Sequence, residues 1–210
     1  MDRNHHLQKI LAYFNKKIET YGPVPQGVDW NSDASQAIRF EQVLKVCDLS
    51  KEFSLIDYGC GYGGMIEHLL QKGCTFQYYG YDPLESMISA ANSIHAGYDF
   101  CSFITNHAEL LPADYTISSG IFNIKLEINH EAWTQYALET LHRFDALSIK
   151  GFSFNMLTSY SDPPFMRPDL YYGDPLFMFD YCKKHFSKNV ALLHDYDLFD
   201  FTILVRKQFT

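Results

Sequence analysis

The chain is short of positive charge: 17 Lys and Arg stand against 25 Asp and Glu, a formal net charge of −8 over 210 residues. A negative surface repels phosphate backbones, so a nonspecific grip on nucleic acid is disfavoured. The cysteines are few and odd in number (5) and form no Cys-x-x-Cys pair, which argues against a disulfide scaffold and a zinc knuckle. With no His-x-x-x-His spacing among the 9 histidines, no metal site is expected. No window reaches the roughly 18 to 20 continuous apolar residues of a membrane span. The opening Met1-Asp2-Arg3-Asn4-His5-His6 is not a secretory signal, so a cytoplasmic protein with reduced thiols is expected. Internal repeats and low-complexity tracts are also missing. What is present is a 47% apolar, 16% aromatic composition, enough to bury the core of one domain over residues 1–210.

Helical and strand periods alternate along that domain. Leu7, Ile10, Leu11, Phe14 and Ile18 predict an amphipathic helix ending near Tyr21-Gly22-Pro23. Asp33, as cap with Gln36, predicts a second helix running to about Leu49-Ser50, so residues 1–50 form a helical N-terminal cap. Strands are expected at 53–58, 76–81, 100–105, 115–122 and 147–157, with helices between them at 64–73, 83–96 and 129–144. Asp174-Pro175 opens a last helix to Phe186, and 189–194 and 199–205 close the chain as a hairpin. The fold class is therefore α/β: a doubly wound, mostly parallel seven-stranded sheet whose last strand is antiparallel.

The informative string is Asp57-Tyr58-Gly59-Cys60-Gly61-Tyr62-Gly63-Gly64, at the carboxyl end of the first strand. Ligands bind at that end of open α/β sheets, and glycines let the backbone approach them closely. Asp82 ends the second strand 82 − 59 = 23 positions after Gly59, near the spacing at which an acid accepts from a ribose hydroxyl. Gly59-x-Gly61-x-x-Gly64 also satisfies the dinucleotide fingerprint, which makes an NAD(P)-dependent oxidoreductase the alternative. Asp57 weighs against it, because a carboxylate two positions before Gly59 would repel a pyrophosphate and favour an ammonium or sulfonium.

Asp57, Gly59, Gly61, Gly63 and Asp82 together resemble the first two motifs of class I S-adenosylmethionine-dependent methyltransferases of the small-molecule type. The resemblance implies S-adenosyl-L-methionine as cofactor and methyl transfer as activity. It places Asp57 near the methionine amino group, Gly59, Cys60 and Gly61 along the amino-acid part, and Asp82 on the ribose hydroxyls. Pro83 and Met87 follow as adenine-side candidates, although Met87 also suits the core. By the same likeness, Asn106-His107-Ala108-Glu109 meets adenine through Ala108 and Glu109, and Ser118, at the end of the fourth strand, lies under the sulfonium. Arg39 aims at the methionine carboxylate, with Trp30 covering it. A non-catalytic S-adenosylmethionine-binding module would carry the same residues without turnover.

Candidates for the acceptor side sit at the ends of strands four to six: Lys125, Glu127, His130, Asn155, Tyr160, His194 and Asp195. Among them His194, Asp195 and Tyr160 are the expected catalytic residues, His194 because an imidazole titrates near neutrality. The proline- and tyrosine-rich stretch 159–173, followed by the helix to 186, reads as a substrate lid, or else as a dimer contact that leaves a homodimer open. The expected acceptor is a small molecule.

Overall fold

The computed structural model describes residues 3–207; Met1 and Asp2, which begin the stretch read above for a signal, lie outside them. Helix α1 (Arg3–Tyr21) ends where Gly22 turns left-handed (φ 74°) and its N–H bonds Ile18 O. Helix α2 (Asp33–Leu44) is capped by the Ser32 hydroxyl, which accepts from Ser35 N at 3.2 Å, so the cap falls one residue before the expected Asp33. It also stops at Leu44 rather than near Leu49, and residues 45–47 continue only as a turn.

From there the chain alternates: β1 (Phe53–Tyr58), α3 (Gly64–Gln71), β2 (Phe76–Tyr81), α4 (Glu85–Ile94), β3 (Cys101–Ile104) and β4 (Ala113–Ser118). Then follow α5 (His130–Leu147), β5 (Ser148–Thr158), the two-residue β6 (Tyr172–Gly173), α6 (Pro175–His185), β7 (Asn189–Leu193) and β8 (Asp200–Arg206). The sheet runs β3-β2-β1-β4-β5-β8-β7, seven strands in one path, with β8 antiparallel to both neighbours. The doubly wound sheet with a reversed last strand is therefore as expected, and β6 is an addition to it. β4 ends at Ser118, four residues before the sequence estimate, because Gly120 (φ 89°) swings the chain out of the sheet. β6 then takes the edge of β5 that β4 vacates, pairing with Leu157 and Thr158.

Both faces of the sheet are covered, so its central strands carry near-continuous apolar runs. Successive residues serve opposite cores: Leu55 packs with Val43, Met65 and Ile117, while Ile56 packs with Phe144, Phe152 and Phe154. Among the described residues no helix is long and apolar enough to cross a membrane, and no group of three or more His, Cys, Asp or Glu is placed to hold a metal ion.

Several buried polar atoms have no partner, among them the Oγ1 of fully buried Thr116 in β4. An unmet buried hydroxyl costs about 1–3 kcal/mol, so Thr116→Val should stabilise the fold by about 1 kcal/mol in urea unfolding. A destabilised variant would mean that the hydroxyl is satisfied.

Candidate active site

The strand order reverses between β1 and β4, and the ends of these two strands open a crevice there. After β1 the chain makes a tight bend. Gly59 N and Cys60 N both donate to Tyr81 O, at 2.7 and 2.9 Å, which ties the bend to the end of β2. Gly59, Gly61 and Gly63 are all left-handed (φ 85°, 54° and 82°), a conformation that side chains resist. Space is equally restrictive: a Cβ at Gly59 would stand 2.2 Å from Ile121 Cγ2, and one at Gly61 would stand 2.8 Å from Val28 Cγ1. Gly63 caps α3, whose unpaired N–H groups and positive dipole end face this bend.

Two carboxyl groups bracket the bend. Asp57, in β1, is buried and accepts from the Tyr78 hydroxyl at 2.7 Å. Burial pushes its carboxyl up to about 7, the Tyr78 bond pulls the other way, and the nearby Asp82 charge adds to the rise. Asp82 follows β2 directly and keeps part of its surface open to the crevice, with neighbours enclosing the rest. Its two oxygens accept from Leu84 N at 3.0 Å and Gly61 N at 3.1 Å. Burial raises Asp82 to about 6 against those two bonds. Tyr78 is a site residue that the sequence reading missed. It lies 21 positions from Asp57 in an ordinary strand pattern, and only the parallel β1–β2 pairing brings its hydroxyl to that carboxylate.

The crevice deepens into a cleft of about 1100 Å³, mouth included. Its far wall is apolar, built from Leu7, Ile10, Leu11 and Phe14 of α1 together with Ile121, Trp133 and Tyr136. Helix α1 is held across the opening by polar ties: Lys9 to Glu127 (2.6 Å), Ser86 to Asn15 (2.8 Å), and Tyr13 and Lys17 to Asp29 (2.8 and 2.6 Å).

Comparison with known proteins then settles the family. A family model for a methyltransferase domain matches residues 3–148. Rv1506c of Mycobacterium tuberculosis, which carries the name of a methyltransferase, is 44% identical over 164 residues, 78% of this chain and 99% of that one. The chain belongs to the methyltransferase family. Among solved structures, the 1,6-didemethyltoxoflavin N1-methyltransferase of Burkholderia thailandensis, with its substrate and S-adenosylhomocysteine bound, superposes at a TM-score of 0.69. It is 16% identical, and the match covers 99% of this chain and 91% of that one. The magnesium protoporphyrin IX methyltransferase of Synechocystis PCC 6803, with S-adenosylhomocysteine bound, gives 0.60 at 16% identity, covering 83% and 84%. At these identities the likeness is one of fold.

In this methyltransferase Asp57, Gly59, Cys60, Gly61, Asp82, Pro83 and Met87 all line the cleft. Four other expected cofactor residues do not. Ser118 is buried and spends its hydroxyl on Tyr58 O at 2.7 Å; the cleft is lined instead by Ser119, Gly120 and Ile121. Ala108 and Glu109 lie on an exposed turn outside it, and Ala108 N is taken by the Asn106 side chain at 3.1 Å. The Arg39 guanidinium is bonded to Asp200 rather than lining the cleft, whereas Trp30 does line it.

The expected catalytic group lies elsewhere. His194, Asp195 and Tyr160 are exposed, the His194 and Tyr160 rings are 5.9 Å apart, and none of the three lines the cleft. Asn155 is buried and shapes the loop after β4, accepting from Gly120 N at 2.8 Å and donating to Ser119 Oγ at 3.2 Å. Lys125 and His130 brace the 168–172 segment through Pro168 O and Tyr172 O. No residue of 159–186 lines the cleft, whereas Leu7, Ile10, Leu11 and Phe14 of α1 do. Apolar periodicity identified α1 as a helix but carried no sign of which surface it would cover.

Burying Asp57 carries a pH signature. Its folded value lies above the ordinary carboxyl range, so the folded state binds more protons than the unfolded one between about pH 4 and 7, and stability falls as pH rises through that window. Asp57→Asn, which keeps an acceptor for Tyr78, should raise the urea midpoint at pH 8 and change it much less at pH 4. An equal shift at both pH values would contradict a strained ionised carboxylate.

Proposed function

We propose that the protein transfers a methyl group from S-adenosylmethionine to a small-molecule acceptor by in-line displacement. The observation that carries this reading is the left-handed glycine bend bracketed by two acids, buried Asp57 and half-buried Asp82, in a cleft whose other walls are mostly apolar. Such a bracket favours a ligand carrying ribose hydroxyls at one end and a cationic amino acid at the other, and it disfavours a pyrophosphate.

When bound, the cofactor supplies a methyl group already activated on a sulfonium. This chain's residues then have to bind and align. Asp82 offers its carboxylate to the ribose hydroxyls, while Asp57, held by Tyr78, offers its remaining oxygen to the methionine ammonium. The glycine bend lies along the amino-acid portion, and Pro83 and Met87 take the adenine side. Ser119, Gly120 and Ile121 border the reacting end, and Leu11, Phe14, Trp133 and Tyr136 exclude water and receive the acceptor. Alignment of this kind contributes about 7–11 kcal/mol to such displacements.

An acceptor whose nucleophilic atom is already unprotonated needs no base from the protein. For acceptors that do need one, the candidate bases are His194, Asp195 and Tyr160, exposed outside the cleft lining, which could serve only an acceptor that extends beyond it. The toxoflavin and protoporphyrin methyltransferases act on small molecules by name, which supports an acceptor of that size here.

Calorimetric titration with S-adenosylhomocysteine tests the cofactor half. Wild type should bind it and not NAD, and Asp82→Ala should bind about ten- to a hundredfold more weakly, the loss of hydrogen bonds to a charged group. Unchanged affinity in that variant would take Asp82 off the ribose. Tritiated methyl transfer from S-adenosylmethionine into small molecules of a metabolite extract tests the other half, and binding without transfer would leave a binding module.

A further inference from the structure

The cleft wall above Gly120 depends on a residue remote from the glycine bend. Trp30 lines the cleft and presses on Gly120: a Cβ there would stand 2.4 Å from Trp30 Cζ2 and 2.6 Å from Cη2. Gly120 belongs to the loop after β4 that borders the reacting end. Trp30's backbone is anchored by its N–H to Pro25 O at 2.9 Å, next to Asp29, a left-handed residue (φ 65°) whose carboxylate is held by Tyr13 and Lys17 of α1.

The indole itself is held by Arg39, whose guanidinium lies 4.2 Å from the ring centroid. Arg39 is in turn bonded to Ser35 O at 3.0 Å and to the Asp200 carboxylate. Asp200 opens β8 in register with Leu157 of β5, so the guanidinium is fixed to the sheet. Both charges are buried, Arg39 at 8% exposure and Asp200 at 0%, yet Arg39 Nε and Asp200 Oδ1 have no partner. A buried ion pair with atoms left unmet is a poor stabiliser compared with packed apolar side chains. What it supplies is direction: a planar guanidinium can bond a carboxylate along its edge and cover an aromatic ring with its face, which an ammonium cannot.

We propose that Arg39, set by Asp200, is a positioning residue that holds Trp30 against Gly120 as the wall over the reacting end of the cleft. The role assigned to that wall rests on reading the cleft as the S-adenosylmethionine site. It departs from the sequence expectation that Arg39 meets the methionine carboxylate, and the two roles give different results with ligands that have or lack that group.

The chain has 2 tryptophans, so a Trp133→Phe background makes Trp30 the sole emitter. In that background, Arg39→Lys and Asp200→Asn are compared for emission maximum and acrylamide quenching without ligand, then for affinity toward S-adenosylhomocysteine and toward 5′-methylthioadenosine, which has no carboxylate. The expected result is red-shifted, more quenchable Trp30 emission in both variants, with affinity for both nucleosides lowered by a similar factor, about two- to thirtyfold. Arg39→Lys keeps a cation opposite Asp200, so it carries the test alone if Asp200→Asn does not fold. Unchanged emission in the folded variants overturns the proposal. So does a loss confined to S-adenosylhomocysteine with emission unaltered, which returns Arg39 to the carboxylate. Altered emission in a protein that binds neither nucleoside, even unsubstituted, supports the brace and removes the cofactor reading instead.

Discussion

Two carboxyl groups at the ends of adjacent parallel strands, one buried and one half-buried, with hydrogen-bond donors rather than cations beside them, are the costly feature around which this molecule is built. Desolvation lifts Asp57 and Asp82 to about 7 and 6, well above the ordinary carboxyl range. At either position a neutral side chain of similar shape would spare the desolvation. Carboxyl groups raised in this way, in a cleft, are candidates for a ligand site.

The rest of the architecture delivers these acids to one place. Parallel pairing of β1 with β2 puts Asp57 beside Gly80 and Tyr58 beside Tyr81, so the two strand ends finish together. The glycine bend then turns back sharply enough for Asp82 to accept from Gly61 N. Reversal of the strand order at β4 opens the crevice, and α1 closes it with an apolar face. That cover is held by ion pairs and hydrogen bonds around its edge, contacts that cost little to break individually.

Much of this was legible in the sequence, for local reasons. Helix and strand periods located the elements, and β1 and β2 fell on the expected residues because buried parallel strands are bounded sharply by glycine and by Asp82-Pro83. The acid–glycine–acid spacing was legible because the chemistry is confined to one bend and one strand end. Contacts set by tertiary approach were not. Tyr78 reaches Asp57, and Arg39 reaches Asp200 across 161 positions, and neither pairing leaves a periodic trace. Arg39, Ala108, Glu109 and Ser118, expected along the cofactor, stand off the cleft lining, Arg39 and Ser118 because they are bonded to Asp200 and to Tyr58 O. His194, Asp195 and Tyr160 stand near the carboxyl ends of their strands, yet outside the cleft lining.

The proposal that Asp57 and Asp82 hold a cationic nucleoside is tested most directly by the proton balance of binding. S-adenosylhomocysteine is titrated calorimetrically near pH 6.5 in two buffers of different ionisation enthalpy, and its affinity is followed from pH 5 to pH 8. Ionisation of Asp57 and Asp82 on binding should release protons at pH 6.5, with affinity rising toward pH 8. Binding that releases no proton and keeps the same affinity across that range would contradict the claim.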